Sequence, residues 1–464
     1  MGALETFVRA FDATGVDAAG EPERVVQARR QALEDLLRSG LPTRHTEDWK
    51  YTSLRALDAM DLAATAPTAR LNQEALRAAG ALLMSAPRVG SPTRPPRGSR
   101  KLGAARRFLE SGPRLVFVDG AFDAELSHLS DLPPGVRLAP WGARQSSSDT
   151  EAGTVLDAAA PGGAFDAINR MFARDGMVFE LAEGVCLEVP IIVIMVQTRA
   201  GASHVRHALR LGQGSSARVI EQHLGLAQAG PYLASSVTRV ELARGAKLQH
   251  VRLQDEADAA VHVSQLHATQ GEDSALDAQI LVLGSRLSRQ EFHIAHEAPG
   301  CHTDLRGASV LANEQHGDVH LGIEHSHPRG TSRTVVCGVF DDAAHGVFTG
   351  RVNVHRGAQK TDAGMINRNL LLSPRAEADT RPQLQIDADD VLCSHGAAVG
   401  QLDAEALFYL LSRGIALQHA RALLVQAFVA GTLPDIGWEP LRAQMRARLA
   451  ARRGLEIEAS EVWA

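Results

Sequence analysis

A thiol and an imidazole stand two residues apart near the end of the chain, at Cys393 and His395. The alternating stretch Leu384-Gln-Ile-Asp-Ala just before them predicts a strand, and residues i and i+2 of a strand share a face. At about 3.3 Å per residue, their side chains lie roughly 6–7 Å apart, too far for one hydrogen-bonded catalytic pair. The spacing suits two ligands of a multi-atom metal centre, or two ligands shared with a partner chain. The alternative is a half-buried cysteine beside a surface histidine, because free cysteine is usually a small buried hydrophobe.

Three acidic residues lie close to this thiol in the sequence, at Asp387, Asp389 and Asp390. Because like charge raises the pKa of a cysteine, we expect Cys393 to stay protonated when no metal is bound. His395 is therefore the stronger candidate ligand of the two.

A second group of candidate ligands lies between residues 293 and 327. Its histidines are His293, His296, His302, His316, His320, His325 and His327. His325 and His327 would share a face on a strand, an arrangement common in zinc and iron sites. A cupin-like or β-helical metal-dependent enzyme using these histidines is therefore a second functional class. Against it, no third ligand follows at a defined spacing, and strand histidines often lie on the solvated face of a sheet.

Other common chemistries are excluded by the motifs that the sequence lacks. The chain contains no GxxxxGK[ST], so it has no P-loop of its own, and no GxGxxG, HExxH or GxSxG. Its net charge of −6 argues against a nucleic-acid-binding protein, which would need a basic face. An enzyme of this sequence would have to use scattered residues.

The four cysteines, at positions 186, 301, 337 and 393, are too far apart for a CxxC motif. Neither a disulfide framework nor a self-contained zinc or iron–sulfur site is indicated, and a reducing cytosol fits best. The most apolar run, Val189–Val196, is far below the roughly 20 residues that span a bilayer. We therefore expect a cytoplasmic protein that does not bind membranes or nucleic acid.

The middle of the chain reads as a repeat. From about residue 178, short β-branched runs alternate with turns, and Gly184, Gly214 and Gly245 recur about 30 residues apart between strand-like phrases. No long amphipathic helix interrupts the run, so α/β crossovers are not expected. The pattern predicts a mainly β fold, and a stacked β-helix rather than a sandwich.

Helices are predicted on both sides of this core. Residues 22–39 form an apolar stripe between Pro22 and Gly40, and the Pro-, Gly- and Arg-rich segment 86–104 is expected to be an exposed, mobile linker. Asp403 is a predicted N-cap for a helix over 404–412. Further helices are expected over about 417–430 and from Pro440. This gives three regions, 1–175, 176–402 and 403–464.

The C-terminal helices carry more apolar surface than so small a unit can bury by itself. Leu417, Leu424 and Phe428 lie on one predicted face of the second helix. We expect this face either to bind a partner or to cover the open end of the repeat.

Three segments together resemble the SufB/SufD family of the SUF iron–sulfur cluster assembly system. They are Leu41-Pro-Thr-Arg-His-Thr-Glu-Asp-Trp-Lys-Tyr-Thr52, the core segment Thr361–Ser373, and Cys393-Ser-His-Gly-Ala-Ala-Val-Gly400 with the helix that follows it. The third segment is similar to the SufD branch of the family in particular. Met365 and Ala398 depart from the residues expected there, but neither is a proposed ligand.

The resemblance implies a right-handed parallel β-helix core and a non-catalytic scaffold subunit of a SufBCD complex. It implies pairing with SufB through the β-helix and binding of the ATPase SufC through the C-terminal helical region, which agrees with the missing P-loop. His395 matches the family's histidine implicated in nascent-cluster assembly, with Cys393 as its neighbour. The family then implies a transient iron–sulfur cluster in the complex and no cofactor held stably by this chain alone.

Overall fold

The fold is built from strands that change sheet at every step along the chain. A computed structural model describes residues 2–14, 22–60, 113–129, 132–142 and 162–432, together with positions 62, 71, 76, 155 and 156. The predicted linker 86–104 and the predicted helix from Pro440 lie outside the described residues.

Two long sheets result, and each takes every second strand. Sheet A has the order β18-β16-β14-β12-β10-β8-β6-β4-β3, and sheet B has the order β19-β17-β15-β13-β11-β9-β7-β5-β1-β2. The strands of sheet A are β3 (Val136–Pro140), β4 (Met177–Leu181), β6 (Gly201–Leu211), β8 (Tyr232–Leu242), β10 (Val261–Gln270), β12 (Leu287–His296), β14 (His316–His325), β16 (His345–Val354) and β18 (Glu377–Ile386). The strands of sheet B are β1 (Arg114–Val118), β2 (Ala121–Phe122), β5 (Ile191–Gln197), β7 (Ser216–Gly225), β9 (Lys247–Asp255), β11 (Ala275–Val282), β13 (His302–Leu311), β15 (Thr331–Phe340), β17 (Asp362–Leu371) and β19 (Leu392–Gly400).

The predicted stacked β-helix is confirmed. From β4 onward, neighbouring strands within each sheet are parallel, and the register advances by about 30 residues per coil, as in His302, Thr331 and Asp362. The repeated glycines form the turns: Gly184 and Gly214 have φ of 70° and 65°, which suits glycine. Their amides donate to the turn of the next coil, from Gly184 N to Gln213 O at 2.8 Å and from Gly214 N to Arg244 O at 2.9 Å.

Strands from the N-terminal region extend both sheets. β1 pairs with β5 in parallel, while β3 pairs with β4 in an antiparallel manner. The inward side chains of both sheets form one apolar core along the solenoid, which is rich in Val, Leu, Ile and Ala. Only 4% of the residues of the chain are aromatic, and this largely aliphatic core shows how the interior is packed with so few of them.

A polar patch lies inside this apolar interior. The Glu221 carboxylate is fully buried, accepts from Arg252 Nε at 2.9 Å and from Thr238 Oγ1 at 2.8 Å, and lies 3.0 Å from His250 Nε2. Buried charges are tolerated when they are paired and hydrogen-bonded in this way.

The N-terminal helices cover the outer face of sheet A. They are α1 (Ala3–Thr14), α2 (Glu23–Ser39) and α3 (Gly163–Phe172), with short 3₁₀ turns at Glu47–Trp49 and Arg55–Ala59. The buried Asp166 carboxylate joins α3 to the sheet, since it accepts from Arg206 at 2.9 Å and from Arg170 at 3.0 Å. The predicted stripe of α2 needs one correction. Leu37 is 56% exposed, whereas the Arg29 guanidinium is buried because it donates to the carbonyls of Met171 and Ala173, each at 2.8 Å.

Two C-terminal helices follow β19, as predicted. They are α4 (Ala404–Ser412) and α5 (Leu417–Ala430), and the Asp403 side chain caps α4 by accepting from the amides of Glu405 and Ala406. α5 folds back on the outer face of sheet B, where Val425 and Val429 join an apolar cluster. α4 has no buried residue. Among the described residues, no helix is long and apolar enough to cross a membrane.

Candidate functional site

Cys393 and His395 lie on β19, the last strand of sheet B. The stretch 384–388 does not belong to the same strand, as the sequence had suggested: it ends β18 in sheet A, and the turn 387–391 carries the chain across to sheet B. The prediction missed this turn because it contains no glycine or proline. The two candidate residues nevertheless share a face, since both lie within β19.

That shared face points toward the interior of the solenoid. Cys393 is in register with Ala363, and His395 is in register with Met365. Both β17 residues are buried in the interior core. The Cys393 side chain is half-buried against this core, whereas His395, on the same side of the outermost strand, is exposed.

This end of the solenoid is open in the described chain. Among the described residues, β19 pairs only with β17 and β18 only with β16, so each strand leaves one edge of backbone N–H and C=O groups without a described partner. Apolar side chains accompany these edges: Leu392 is 73% exposed, and Val399 and Ile386 are also exposed. Unpaired edges with apolar side chains are templates for pairing with another chain.

The thiol is less acidic than a free cysteine, but not for the predicted reason. Burial raises the pKa of Cys393, the backbone of Ala363 opposes the rise, and the Asp362 carboxylate adds to it. The acids at 387, 389 and 390 do not contribute, and Asp390 forms an ion pair with Lys360. The predicted direction was correct, while the predicted cause was wrong.

The second candidate site is divided by the fold. His293, His316 and His320 lie on the outer face of sheet A, while His296 and His325 point inward and contact each other, Nδ1 to Nδ1, at 3.1 Å. The same-face pairing of His325 with His327 was wrong, since β14 ends at His325. Over the described ranges, no group of three His, Cys, Asp or Glu side chains is arranged to hold a metal ion.

The predicted partner-binding residues of α5 lie beside the face that packs on the solenoid. Leu417 is 43% exposed, and Leu424 and Phe428 are half-buried, with Phe428 against the outer cluster of sheet B. The sequence analysis missed a larger apolar surface on α4, where Phe408 is 71% exposed and Tyr409 is exposed beside it. The hydrophobic run Ala404-Glu-Ala-Leu-Phe-Tyr-Leu-Leu was the available signal.

Comparison with known proteins agrees with this geometry. Residues 194–428, which include the whole repeat from β6 to β19, match the family described as SUF system FeS cluster assembly, SufBD core domain. The chain belongs to the SufBD family. It is similar to the iron–sulfur cluster assembly protein SufD of Escherichia coli K12, with 31% identity over 97% of this chain and 96% of that protein. The resemblance seen in the sequence is therefore confirmed, and the family's part in iron–sulfur cluster assembly applies to this member.

Two further proteins are similar to most of this chain. An iron–sulfur cluster assembly SufBD family protein of Synechocystis is 29% identical over 94% of this chain and 92% of its own length. A chloroplastic protein of Arabidopsis thaliana, ABCI7, is 33% identical over 71% of this chain and 72% of its own length.

Proposed function

We propose that this SufBD family member is a non-catalytic scaffold subunit of a SufBCD complex, and that Cys393 and His395 form its half of a cluster-assembly site. The observation that carries the proposal is the position of this pair on the inward side of the last strand, beside an unpaired edge. A side chain there can meet ligands from a second protein seated on the open end.

The ligand count makes the site dependent on a partner. An iron–sulfur cluster is normally held by four protein ligands, usually cysteines, and histidine can replace cysteine on one iron. β19 offers two such ligands on one face, so the others come from SufB. A site completed by two chains holds its cluster only while the chains are together, which suits a cluster that must be passed on. The cluster is therefore cargo, and this chain alone holds no cofactor stably.

The open end supports pairing with SufB. The free edges of β18 and β19 can continue into strands of another chain, since main-chain hydrogen bonds supply affinity and alternate side chains supply specificity. The exposed Leu392 and Ile386 side chains would be covered by that contact.

The C-terminal helices support binding of the SufC ATPase. The described chain leaves Phe408, Tyr409 and Leu417 exposed on two adjacent helices, an apolar surface of the kind that partners cover. Leu417, Leu424 and Phe428 are the residues proposed for the contact, and α4 extends it. Since the sequence has no P-loop, ATP hydrolysis belongs to the partner. We place the assembly in the cytoplasm, where thiols stay reduced.

Co-purification of the tagged chain, expressed with the SufB- and SufC-type proteins of its own organism, tests this function. We expect all three proteins to elute together, and the chain purified alone to hold no stoichiometric metal. Recovery of the chain without either partner would overturn the proposed complex. Stoichiometric metal with substrate turnover in the isolated chain would overturn the scaffold role in favour of an enzyme.

A further inference from the structure

A cleft lies between the N-terminal segment and the outer face of sheet A. It has a volume of about 290 Å³. One wall is the start of α3, the other is the segment that follows α2, and the floor comes from β10, β12 and β14. None of the residues proposed to bind SufB, SufC or the cluster lines it.

The floor holds a compact network of charged groups. Glu291 accepts from Arg289 Nε at 2.5 Å and from Gln265 Nε2 at 2.6 Å. Arg289 also pairs with Asp318 and lies over the Trp49 ring, 3.8 Å from its centroid. Two carboxylates thus neutralise one guanidinium, and the floor keeps a net negative charge.

Hydrogen-bond acceptors in this floor lack partners among the described residues. Gln265 is 2% exposed, and its Oε1 atom has no donor; its orientation is set because Nε2 donates to Gly162 O at 2.8 Å as well as to Glu291. His320 is 5% exposed, and its Nδ1 has no hydrogen-bond partner among the described residues, whereas Nε2 of the neighbouring His293 faces Glu291 Oε2 at 3.7 Å. Burial, with the Arg289 charge, lowers the pKa of His320, so the imidazole is neutral at pH 7. Buried polar atoms without partners are costly and point to a bound group.

The facing wall has the opposite polarity. α3 begins at Gly163, no side chain of the described residues caps it, and Gly162, Gly163 and Ala164 line the cleft. The first amides of a helix have no intrahelical acceptor, and with the helix dipole they favour a carboxylate or another anion. The Gln265 side chain joins this wall to the floor, so the electropositive and electronegative groups lie one side chain apart.

We propose that this cleft binds a free α-amino acid, with its carboxylate at the amino end of α3 and its ammonium group on Gln265 Oε1, Glu291 and the His320 imidazole. An α-amino acid carries its two charges on either side of one carbon atom, which matches the short separation of wall and floor. An ammonium group has three donors, and the floor offers acceptors for them. The buried Trp49 and Phe165 side chains also line the cleft, so part of its wall is apolar.

The twenty protein amino acids, titrated singly into the full-length chain by calorimetry, test the proposal. We expect at least one to bind with a Kd of about 1 mM or tighter. Its N-acetyl derivative and its α-amide, which each lack one charge, should bind at least about tenfold more weakly. Absence of binding by all twenty, or equal binding of a derivative, would overturn the inference.

A pair of matched substitutions locates the site. Gln265→Met removes the acceptor and should weaken binding of the amino acid at least about tenfold. Gln279→Met makes the same change at a buried glutamine of sheet B whose Oε1 also lacks a partner in the described chain, and should leave binding unchanged. Equal affinity in wild type and a folded Gln265→Met variant would contradict the assignment. If that variant does not fold, the derivative series with the wild-type chain decides.

Discussion

His395 is in register with Met365, and the Met365 side chain is buried in the interior of the solenoid. The imidazole therefore continues an interior column of side chains onto β19, where no further coil of the described residues covers it. The same relationship holds for Cys393 and the buried Ala363. An inward-facing pair that is accessible only because the solenoid stops there is the basis of the proposed shared site.

A charge on α4 or at the start of α5 should weaken binding of the ATPase. Burying a large apolar side chain at an interface is worth about 1.5–3 kcal/mol, so Phe408→Asp and Leu417→Asp should each weaken binding roughly tenfold to hundredfold. Both side chains are exposed in the described chain, so the thermal unfolding midpoint should not change.

Affinity for the SufC-type ATPase, measured by surface plasmon resonance, checks this prediction. Leu37→Asp on α2 is the matched control, since the exposure of Leu37, 56%, lies between those of Phe408 and Leu417 and the residue belongs to the N-terminal region. Normal affinity in both C-terminal variants would rule out this docking surface. Truncation after residue 402 is a poorer test, because it also removes Val425 and Val429 from the cluster on sheet B.

Trp49 is predicted to hold the N-terminal segment on the solenoid. Its ring stacks on Phe165 and lies under the Arg289 guanidinium, and it is almost fully buried. Trp49→Ala should lower the free energy of unfolding by about 3–5 kcal/mol, as for other buried Trp truncations. Urea denaturation measures the loss, with the half-exposed Tyr51→Ala as a control of smaller effect. A Trp49→Ala protein of unchanged stability that fails in cluster assembly would instead indicate a direct role in the site.

Acid should destabilise the fold well above the pH at which carboxylates titrate. Burial lowers the pKa of His204 to about 3 and of His207 and His223 to about 4, from an ordinary value of 6.5. As pH falls below 6.5, these imidazoles become protonated in the unfolded chain but stay neutral in the folded protein. The free energy of unfolding therefore decreases between about pH 6.5 and 4. Although burial favours the neutral form of Glu221, Arg252 and His250 hold its pKa well below 4.5, so its stabilising contribution is lost at still lower pH.

Urea midpoints measured at pH 7, 6 and 5 check this dependence. We expect a steady decrease, and we expect His204→Phe to flatten it. Neither nitrogen of His204 has a partner in the described part of the chain, so the substitution removes a titrating group without removing a hydrogen bond. A midpoint that is constant or rises toward pH 5 would contradict the prediction.

Much of the fold could be predicted from the sequence because every coil of a solenoid repeats the same local pattern of strands and turns. Gly184, Gly214 and Gly245 mark the turns, since each needs a positive φ, and their spacing equals the length of one coil. Helix limits at Asp403 and Gly431 were also readable from capping residues. Such turn and cap signals are local, so they can be identified in the sequence without knowledge of the tertiary contacts.

The features that could not be predicted are tertiary contacts, which depend on how helices and segments distant in the sequence pack on the sheets. The stripe on α5 identified an apolar helix, but Val425 and Val429 rather than Leu417 contact the sheet, because the direction of the chain after α4 decides the packing face. Likewise, Arg289 and Trp49 lie 240 residues apart in the sequence, and no local pattern of either residue indicates their contact. The cleft beside them could not be predicted either, because the residues that line it are far apart in the sequence.

The iron and sulfide content of the anaerobically purified three-protein complex tests the central claim most directly. We expect His395→Ala to assemble with both partners yet lose most of the cluster, and Cys393→Ala to lose less. His355→Ala, a control at an exposed histidine of the turn after β16, should keep all of it. Wild-type cluster content in intact complexes of both His395→Ala and Cys393→Ala would contradict the account.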